Sequence, residues 1–228
     1  MQALVSGAHS GLGKFLAEYF NADAYDRASG SAPATSYDTI IHCAFDVRRT
    51  VPVEEEAQYQ HNTLGITQAL LSIPHQRFVF ISTVDVAQPH DRYGKSKLAA
   101  EALVNAHAAR PLILRPTAML GPYMRPNSLT RILSGENPKL TLAANSSFNY
   151  VLHSDVAAFI AKNPPAGIYT LASSGNITLE ELCRHFGKTA QFGDYRYDVG
   201  SHDNHPAATI LPAFGRSSLA CVENYLRG

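Results

Sequence analysis

A short apolar segment, Ala3-Leu4-Val5-Ser6, runs directly into Gly7-Ala8-His9-Ser10-Gly11-Leu12-Gly13. Behind it Leu12, Phe15, Leu16, Tyr19 and Phe20 recur at helical spacing. A buried strand, a glycine-rich turn and an amphipathic helix in that order leave few folds open. They predict the first unit of a doubly wound α/β sheet that binds a dinucleotide. The first glycine permits the tight turn, the second lets backbone approach a pyrophosphate, and the third lets helix and strand pack closely. The helix N-terminus then presents unpaired N–H groups to phosphate oxygens. Gly7, His9, Ser10, Gly11, Leu12 and Gly13 are the first candidate cofactor contacts. His9 is expected beside the pyrophosphate rather than in the chemistry.

The alternation continues. A short strand, Ala22 to Tyr25, ends at Asp26, and the segment Arg27 to Ser36 is rich in Gly, Ser, Ala and Pro and reads as a loop. Thr39 to Ala44 reads as a buried strand, Val53 to Leu71 as a helix, and Phe78 to Ser82 as a strand whose unbroken apolar run fits a parallel sheet covered on both faces. A helix is expected to about Ala108, then a strand at Leu112 to Leu114 closed by Arg115-Pro116. Alternating strands and helices imply right-handed crossovers and a doubly wound sheet. After Pro116 the regularity falls, with Pro and Gly at Gly121-Pro122, Pro126 and Pro138. Thr178-Leu179-Glu180-Glu181 is a capping box for a helix through Phe186, and Ser217 or Ser218 starts a last helix to Leu226. The expectation is one domain over 1–228, with about 117–145 and 166–228 forming a small, discontinuous substrate lobe over the carboxyl ends of the strands.

Chemistry enters at Tyr93-Gly94-Lys95-Ser96-Lys97, where Tyr93 and Lys97 stand one helical turn apart on one face. A phenol ionises near pH ~10 in water, and an adjacent ammonium favours the phenolate. A tyrosine tuned in this way can exchange a proton with a substrate hydroxyl near neutral pH. Asp26, closing the second strand, can accept both hydroxyls of an adenosine ribose and repel a 2′-phosphate, which favours NAD over NADP. Arg27 beside it keeps NADP open.

Composition excludes other classes. Formal net charge is zero and no like-charge run is long, so neither nucleic acid nor a membrane surface is an expected partner. No apolar stretch is long enough to span a bilayer. The chain opens directly on its first strand, which predicts no secretory leader. Cys43, Cys183 and Cys221 lie far apart without metal-ligand spacing and read as reduced thiols, so a cytosolic protein is expected. His202 and His205 have no convincing third ligand, and no metal is expected.

In order, these segments resemble the short-chain dehydrogenase/reductase superfamily. The resemblance is to its extended branch, the NAD-dependent epimerases, dehydratases and reductases of sugar nucleotides. It is carried by Ser6-Gly7-x-x-x-Gly11-x-Gly13, Ile41-His42-Cys43-Ala44, Asn62-Thr63-Leu64-Gly65, Phe80-Ile81-Ser82-Thr83, Tyr93 through Glu101, Leu114 through Pro122 and Tyr150 through Ala157. The resemblance implies a Rossmann-type fold with a small C-terminal lobe. It implies Tyr93 as general acid/base, Lys97 tuning it and holding the nicotinamide ribose, and Thr83, or else Ser82, bonding the substrate oxygen. Asn62 would support the active-site helix or a water, or else be a surface amide. The cofactor contacts it implies extend to Cys43, Ala44, Phe45, Pro116 and Thr117.

The chain also departs from that pattern. Its glycine spacing is that of the classical branch. Val84-Asp85 stands where dehydratases carry Asp-Glu, so the acid that protonates a leaving hydroxyl is missing and dehydration is not expected. Phe148 falls where an arginine often meets a nucleotide diphosphate, leaving that role to Arg125 or Arg131. The implied protein is an NAD(P)-dependent oxidoreductase or epimerase acting on a secondary alcohol or ketone of a sugar or nucleotide sugar, with room for a homodimer. A small-ketone or aldehyde reductase is the first alternative. A dinucleotide-binding sensor or scaffold without chemistry is the second.

Overall fold

The computed structural model describes residues 2–25 and 36–228. Six parallel strands form the main sheet in the order β2-β1-β3-β4-β5-β9. They are β1 (Ala3–Ser6), β2 (Asp23–Tyr25), β3 (Tyr37–His42), β4 (His75–Ile81), β5 (Pro111–Pro116) and β9 (Gly167–Leu171). Between β5 and β9 the chain forms β6 (Ala118–Leu120), β7 (Ser147–Phe148) and β8 (Tyr150–Leu152), and after them comes β10 (Ile177–Thr178). The two pairs β6–β8 and β7–β10 lie outside the main sheet.

The doubly wound α/β class expected from the alternation is what the chain adopts. β1, β3, β4 and β5 are almost wholly buried, as two-sided covering requires. Strand order reverses at β1, with β2 on one flank and β3 on the other. In open α/β sheets the ligand crevice lies outside the carboxyl ends at such a reversal. Here those ends are Ser6-Gly7 and His42-Cys43.

One apolar cluster packs the first helix (Gly11–Phe20) and the helix His153–Ala161 on one face of the sheet through Leu12, Leu16, Val156 and Phe159. On the other face, Ile66, Leu70, Ala100 and Val104 cover Ile40, Phe78 and Phe80. A further cluster, around Leu129, Ile132, Tyr150, Leu179, Leu182 and Val222, sits in the second half of the chain. There the capping box at Thr178 is present, its hydroxyl accepting from Glu181 N–H and the Glu181 carboxylate accepting from Thr178 N–H. It starts the helix Leu179–Phe186, and the last helix runs Ser218–Arg227 from an N-cap at Ser217.

Some expectations change. Gly167–Leu171, placed by sequence in the second lobe, pairs with β5 as the sixth strand of the main sheet. Its Ile168 is exposed, as an edge strand permits, so the sequence lacks the continuous apolar run that marks inner strands. The helix expected over Val53 to Leu71 is interrupted: a 3₁₀ turn and an α segment are followed by a π segment at His61–Gly65 before α geometry resumes. A π turn adds a residue to a helix and recurs at functional sites. Asp26, Arg27 and nearly all of the loop expected between Arg27 and Ser36 lie outside the described residues. Among the described residues no helix is long and apolar enough to cross a membrane.

Candidate active site

The glycine turn is built by close approach. Gly7 has φ +75°, and a Cβ there would lie 2.9 Å from the Ala44 nitrogen. A Cβ on Gly13 would lie 2.2 Å from the Gly7 carbonyl oxygen, so the first helix can sit on the turn only with glycine at that position. Gly11, at φ +52°, meets nothing nearer than 3.9 Å, leaving open space beside the helix N-terminus. These are the features a dinucleotide phosphate requires of such a turn. His9 and Ser10 are exposed there, while the Leu12 side chain points into the core. The N–H groups of Leu12 and Gly13 belong to the first helical turn and have no carbonyl within the helix to bond. The Gly11 N–H donates to the Tyr123 carbonyl at 3.0 Å, so the loop after Gly121-Pro122 lies against the turn. The Lys14 ammonium stands 3.9 Å from the Tyr123 ring centroid.

A buried polar chain fixes the far side of the crevice. Ser6 Oγ accepts from the Cys43 and Ala44 N–H groups, each at 3.1 Å, so its own proton is free for His42 Nδ1 at 2.8 Å. His42 Nε2–H then donates to Thr67 Oγ1 at 3.0 Å, and Thr67 donates to the Thr63 carbonyl at 2.9 Å. Burial, assisted by the Lys97 charge, holds the His42 pKa well below the usual imidazole value, consistent with this neutral tautomer. The chain ties the end of β1 to the π segment that carries Asn62. Asn62 accepts from Gln58 at 3.1 Å and helps keep the Asp46 carboxyl below its usual range, after the larger effect of Arg48.

Tyr93 and Lys97 stand on the helix Arg92–His107, whose N-cap Asp91 accepts from Gly94 N–H at 2.9 Å. Lys97 is buried and donates to the Ile81 carbonyl at 2.6 Å, with its Nζ 4.0 Å from the Phe45 ring centroid and 5.9 Å from that of Tyr93. Burial pushes the ammonium down to about 7, against the opposing pull of Cys43 and Glu101. Burial also pushes the Cys43 thiol up to about 12.

The expectation that Lys97 brings the Tyr93 phenol toward neutrality is corrected here. The phenol is raised well above its ordinary value, first by burial and then by the Asp85 carboxylate, with Arg49 opposing. The physical reason is that burial disfavours the phenolate and the Asp85 carboxylate adds to it, while Lys97 donates to the Ile81 carbonyl.

The two candidate hydroxyls separate. Ser82 is buried and donates to Glu101 Oε1 at 2.5 Å, and Arg115 grips the same carboxylate through Nε at 3.0 Å and Nη2 at 2.6 Å. Thr83 is half-buried and caps the short turn Val84–Ala87, accepting from Asp85 N–H at 3.3 Å. Ser82 is thus committed inside the protein, and Thr83 is the hydroxyl that remains near the surface of the site. Pro116 ends β5, and Thr117 donates its hydroxyl to Asn149 at 3.0 Å and its N–H to Leu171 O at 3.0 Å, so neither donor faces the crevice.

A cavity of about 590 Å³ opens beside this helix. The turn after Thr83 and the N-cap of the Tyr93 helix form one wall, through Val84, Asp85 and Asp91; Tyr195 to His202 form the other, and Arg49 stands between. Residues of the second half of the chain therefore face those that follow β4. Arg131 does not reach this cavity: it donates to the Lys139 carbonyl at 2.6 Å and borders a groove against the last helix. Phe148 stacks on Tyr150 and approaches Tyr197, with ring centroids 5.8 and 5.0 Å apart. The arginines at the cavity are Arg49 and Arg196, which sequence reasoning missed. Arg49 lies in irregular chain after β3, where no periodicity marks a functional side chain. Among the described residues no group of three or more His, Cys, Asp or Glu could hold a metal ion.

The family model described as NAD dependent epimerase/dehydratase family matches residues 26–163, which include Tyr93 and Lys97. No curated protein matches the chain. Among solved structures, MoeE5 in complex with UDP-glucose and NAD aligns with a TM-score of 0.77 at 18% identity, covering 100% of this chain and 99% of that one. UDP-glucuronic acid 4-epimerase from Bacillus cereus, in complex with UDP-glucuronic acid and NAD, aligns with a TM-score of 0.75 at 18% identity, covering 99% and 98%. UDP-glucose 4-epimerase from Thermotoga maritima, with UDP-glucose, aligns with a TM-score of 0.74 at 15% identity, covering 100% and 99%.

Proposed function

The chain belongs to the NAD dependent epimerase/dehydratase family, and on that footing we propose that it is an NAD-dependent epimerase of a nucleotide sugar, with Tyr93 moving the proton. The observation that carries the reading is a convergence. A turn shaped for a pyrophosphate, a tyrosine and a near-surface threonine hydroxyl all lie at the carboxyl ends of one parallel sheet. The bound ligands of MoeE5 and of the Bacillus cereus enzyme, a UDP-sugar and NAD in each, support the substrate class and the cofactor.

The turn residues Gly7, Gly11 and Gly13 and the N–H groups of Leu12 and Gly13 would hold the pyrophosphate, and Cys43 to Phe45 would border the rest of the dinucleotide across the crevice. Asp26 would take the adenosine ribose. When bound, the nicotinamide supplies the acceptor and donor of a hydride. Tyr93 removes the proton of a sugar hydroxyl and later returns it, and Thr83 donates a hydrogen bond to the same oxygen. Lys97, whose ammonium burial holds low, would hold the nicotinamide ribose from the same helix face. Holding both reactants in register would supply much of the acceleration. Val84 offers no proton for a departing hydroxyl, so the reading is epimerisation rather than dehydration.

The test is direct. UDP-glucose, UDP-galactose and UDP-glucuronic acid are each incubated with the enzyme and NAD, and the C4 epimers are followed by proton NMR. Tyr93→Phe keeps the ring and removes the proton, so turnover falls by ~10²–10⁴-fold while NADH affinity stays nearly unchanged. A phenylalanine variant that turns over at the wild-type rate refutes the mechanism and leaves a binding protein or a different acid.

A further inference from the structure

We propose that Arg49, clamped between Asp85 and Asp91 over the Tyr93 ring, is a positioning residue that sets how readily Tyr93 releases its proton. The inference rests on the reading of Tyr93 as the proton-transfer group.

The geometry joins three separate pieces of chain. Arg49 Nη2 donates to Asp85 Oδ2 at 2.9 Å, and its Nη1 donates to the Asp91 carboxylate. Its guanidinium carbon stands 5.6 Å from the Tyr93 ring centroid. Its backbone carbonyl accepts from the Arg92 N–H at 3.3 Å, at the start of the Tyr93 helix. Asp91 caps that helix, and Asp85 N–H donates to Thr83 Oγ1. One guanidinium therefore connects the loop after β3, the turn behind Thr83 and the first turn of the Tyr93 helix.

Stability does not account for this arrangement. The Arg49 side chain is 58% exposed, and exposed ion pairs contribute little to folding. An effect on a neighbouring ionisation is another matter, because charges within a few ångströms act on it directly. The groups that bear on the phenol are the carboxylates Asp85 and Asp91, the Arg49 guanidinium and the Tyr59 hydroxyl. Lys97, on the same helix as Tyr93, has its Nζ 5.9 Å from the Tyr93 ring centroid and donates to the Ile81 carbonyl. Burial raises the phenol first, and one guanidinium against two carboxylates at the mouth of the site adds to that effect. Arg49 offsets the carboxylates in part, and its flat fork can hold both acids at once where a lysine could meet them only as a point charge.

Tyrosine labelled with carbon-13 at Cζ reports phenol ionisation in the NAD-loaded enzyme with no substrate present, and Tyr93→Phe identifies the Tyr93 signal. Asp85→Asn is expected to move the Tyr93 titration down by on the order of one pH unit, and Arg49→Met to move it up by a similar amount. Arg49→Lys, which keeps the charge and loses the fork, shifts it less than Arg49→Met. The double variant Arg49→Met/Asp85→Asn loses one charge of each sign and titrates near wild type, which keeps the proposal testable if a single variant is poorly folded. The same order is expected in the pH profile of hydride transfer to bound NAD from UDP-glucose, where one unit is about tenfold in rate on the sloping limb. Tyr93 titrations unmoved in folded Asp85→Asn and Arg49→Met enzymes overturn the proposal and leave the role of Tyr93 intact. A fully active Tyr93→Phe enzyme instead overturns the reading beneath it.

Discussion

Replacing Lys97 with methionine is expected to stabilise the fold at neutral pH while damaging the enzyme. The lysine is 3% exposed, and burial pushes its ammonium from 10.5 down to about 7. At ~1.4 kcal/mol per pH unit, protonating it inside the protein costs about 4–5 kcal/mol at pH 7. Two favourable contacts are lost with it. The bond to the Ile81 carbonyl is worth about 2 kcal/mol, and the contacts with the Phe45 and Phe80 rings about 1 kcal/mol. The methionine chain, similar in length and apolar, is then about 1–2 kcal/mol more stable, or about 2–8 °C in Tm for a chain of this size.

The pH dependence carries the sign. Between the folded value near 7 and the unfolded value of 10.5, the unfolded chain binds the extra proton. Wild-type stability therefore rises with pH through that window, and the methionine variant lacks this rise. Its advantage is largest at and below pH 7, vanishes about one pH unit higher and reverses toward 10.5. Urea unfolding at several pH values measures the gap, and NADH titration and turnover measure the functional loss. A methionine variant less stable than wild type at pH 7, with a gap that stays constant as pH rises, refutes the burial argument.

Other outcomes are equally specific. Asp26→Ala should weaken NADH by about 1.5–3 kcal/mol and narrow its preference over NADPH; tighter NADPH binding by the wild type in a fluorescence titration would move attention to Arg27. Gly13→Ala should abolish folding, because its Cβ would lie 2.2 Å from the Gly7 carbonyl oxygen, whereas Gly11→Ala meets open space and costs only the ~1–2 kcal/mol of a left-handed backbone; both are read by chemical denaturation. Ser82→Ala should cost about 1–3 kcal/mol of stability by removing a donor from buried Glu101, while Thr83→Val, which loses the cap on Asp85 N–H, should cost about 1 kcal/mol and lower turnover about 10²-fold. No 4-keto-6-deoxy product should appear by mass spectrometry with any nucleotide hexose; its appearance would require another acid, with Asp85 the first residue to test.

The sequence by itself determined the elements whose causes are local. A glycine turn between an apolar strand and an amphipathic helix, the capping box at Thr178 and the unbroken apolar run of β4 each declare themselves over a few residues. The structure has them where those patterns put them. The placing of Tyr93 and Lys97 on one helix face was legible for the same reason, since helical spacing alone fixes it. What only the tertiary structure decided depends on chain brought from a distance. The edge strand Gly167–Leu171 joins the sheet through β5, a partner more than fifty residues earlier in the chain. The Ser82 hydroxyl is withdrawn by Glu101, nineteen positions on, leaving Thr83 at the surface of the site. The charge around Tyr93 was read from Lys97, one helical turn on, yet it is set by Asp85 and by Arg49, forty-four positions earlier. An ionisation answers to every charge and every low-dielectric atom within a few ångströms, and a linear sequence does not say which those will be.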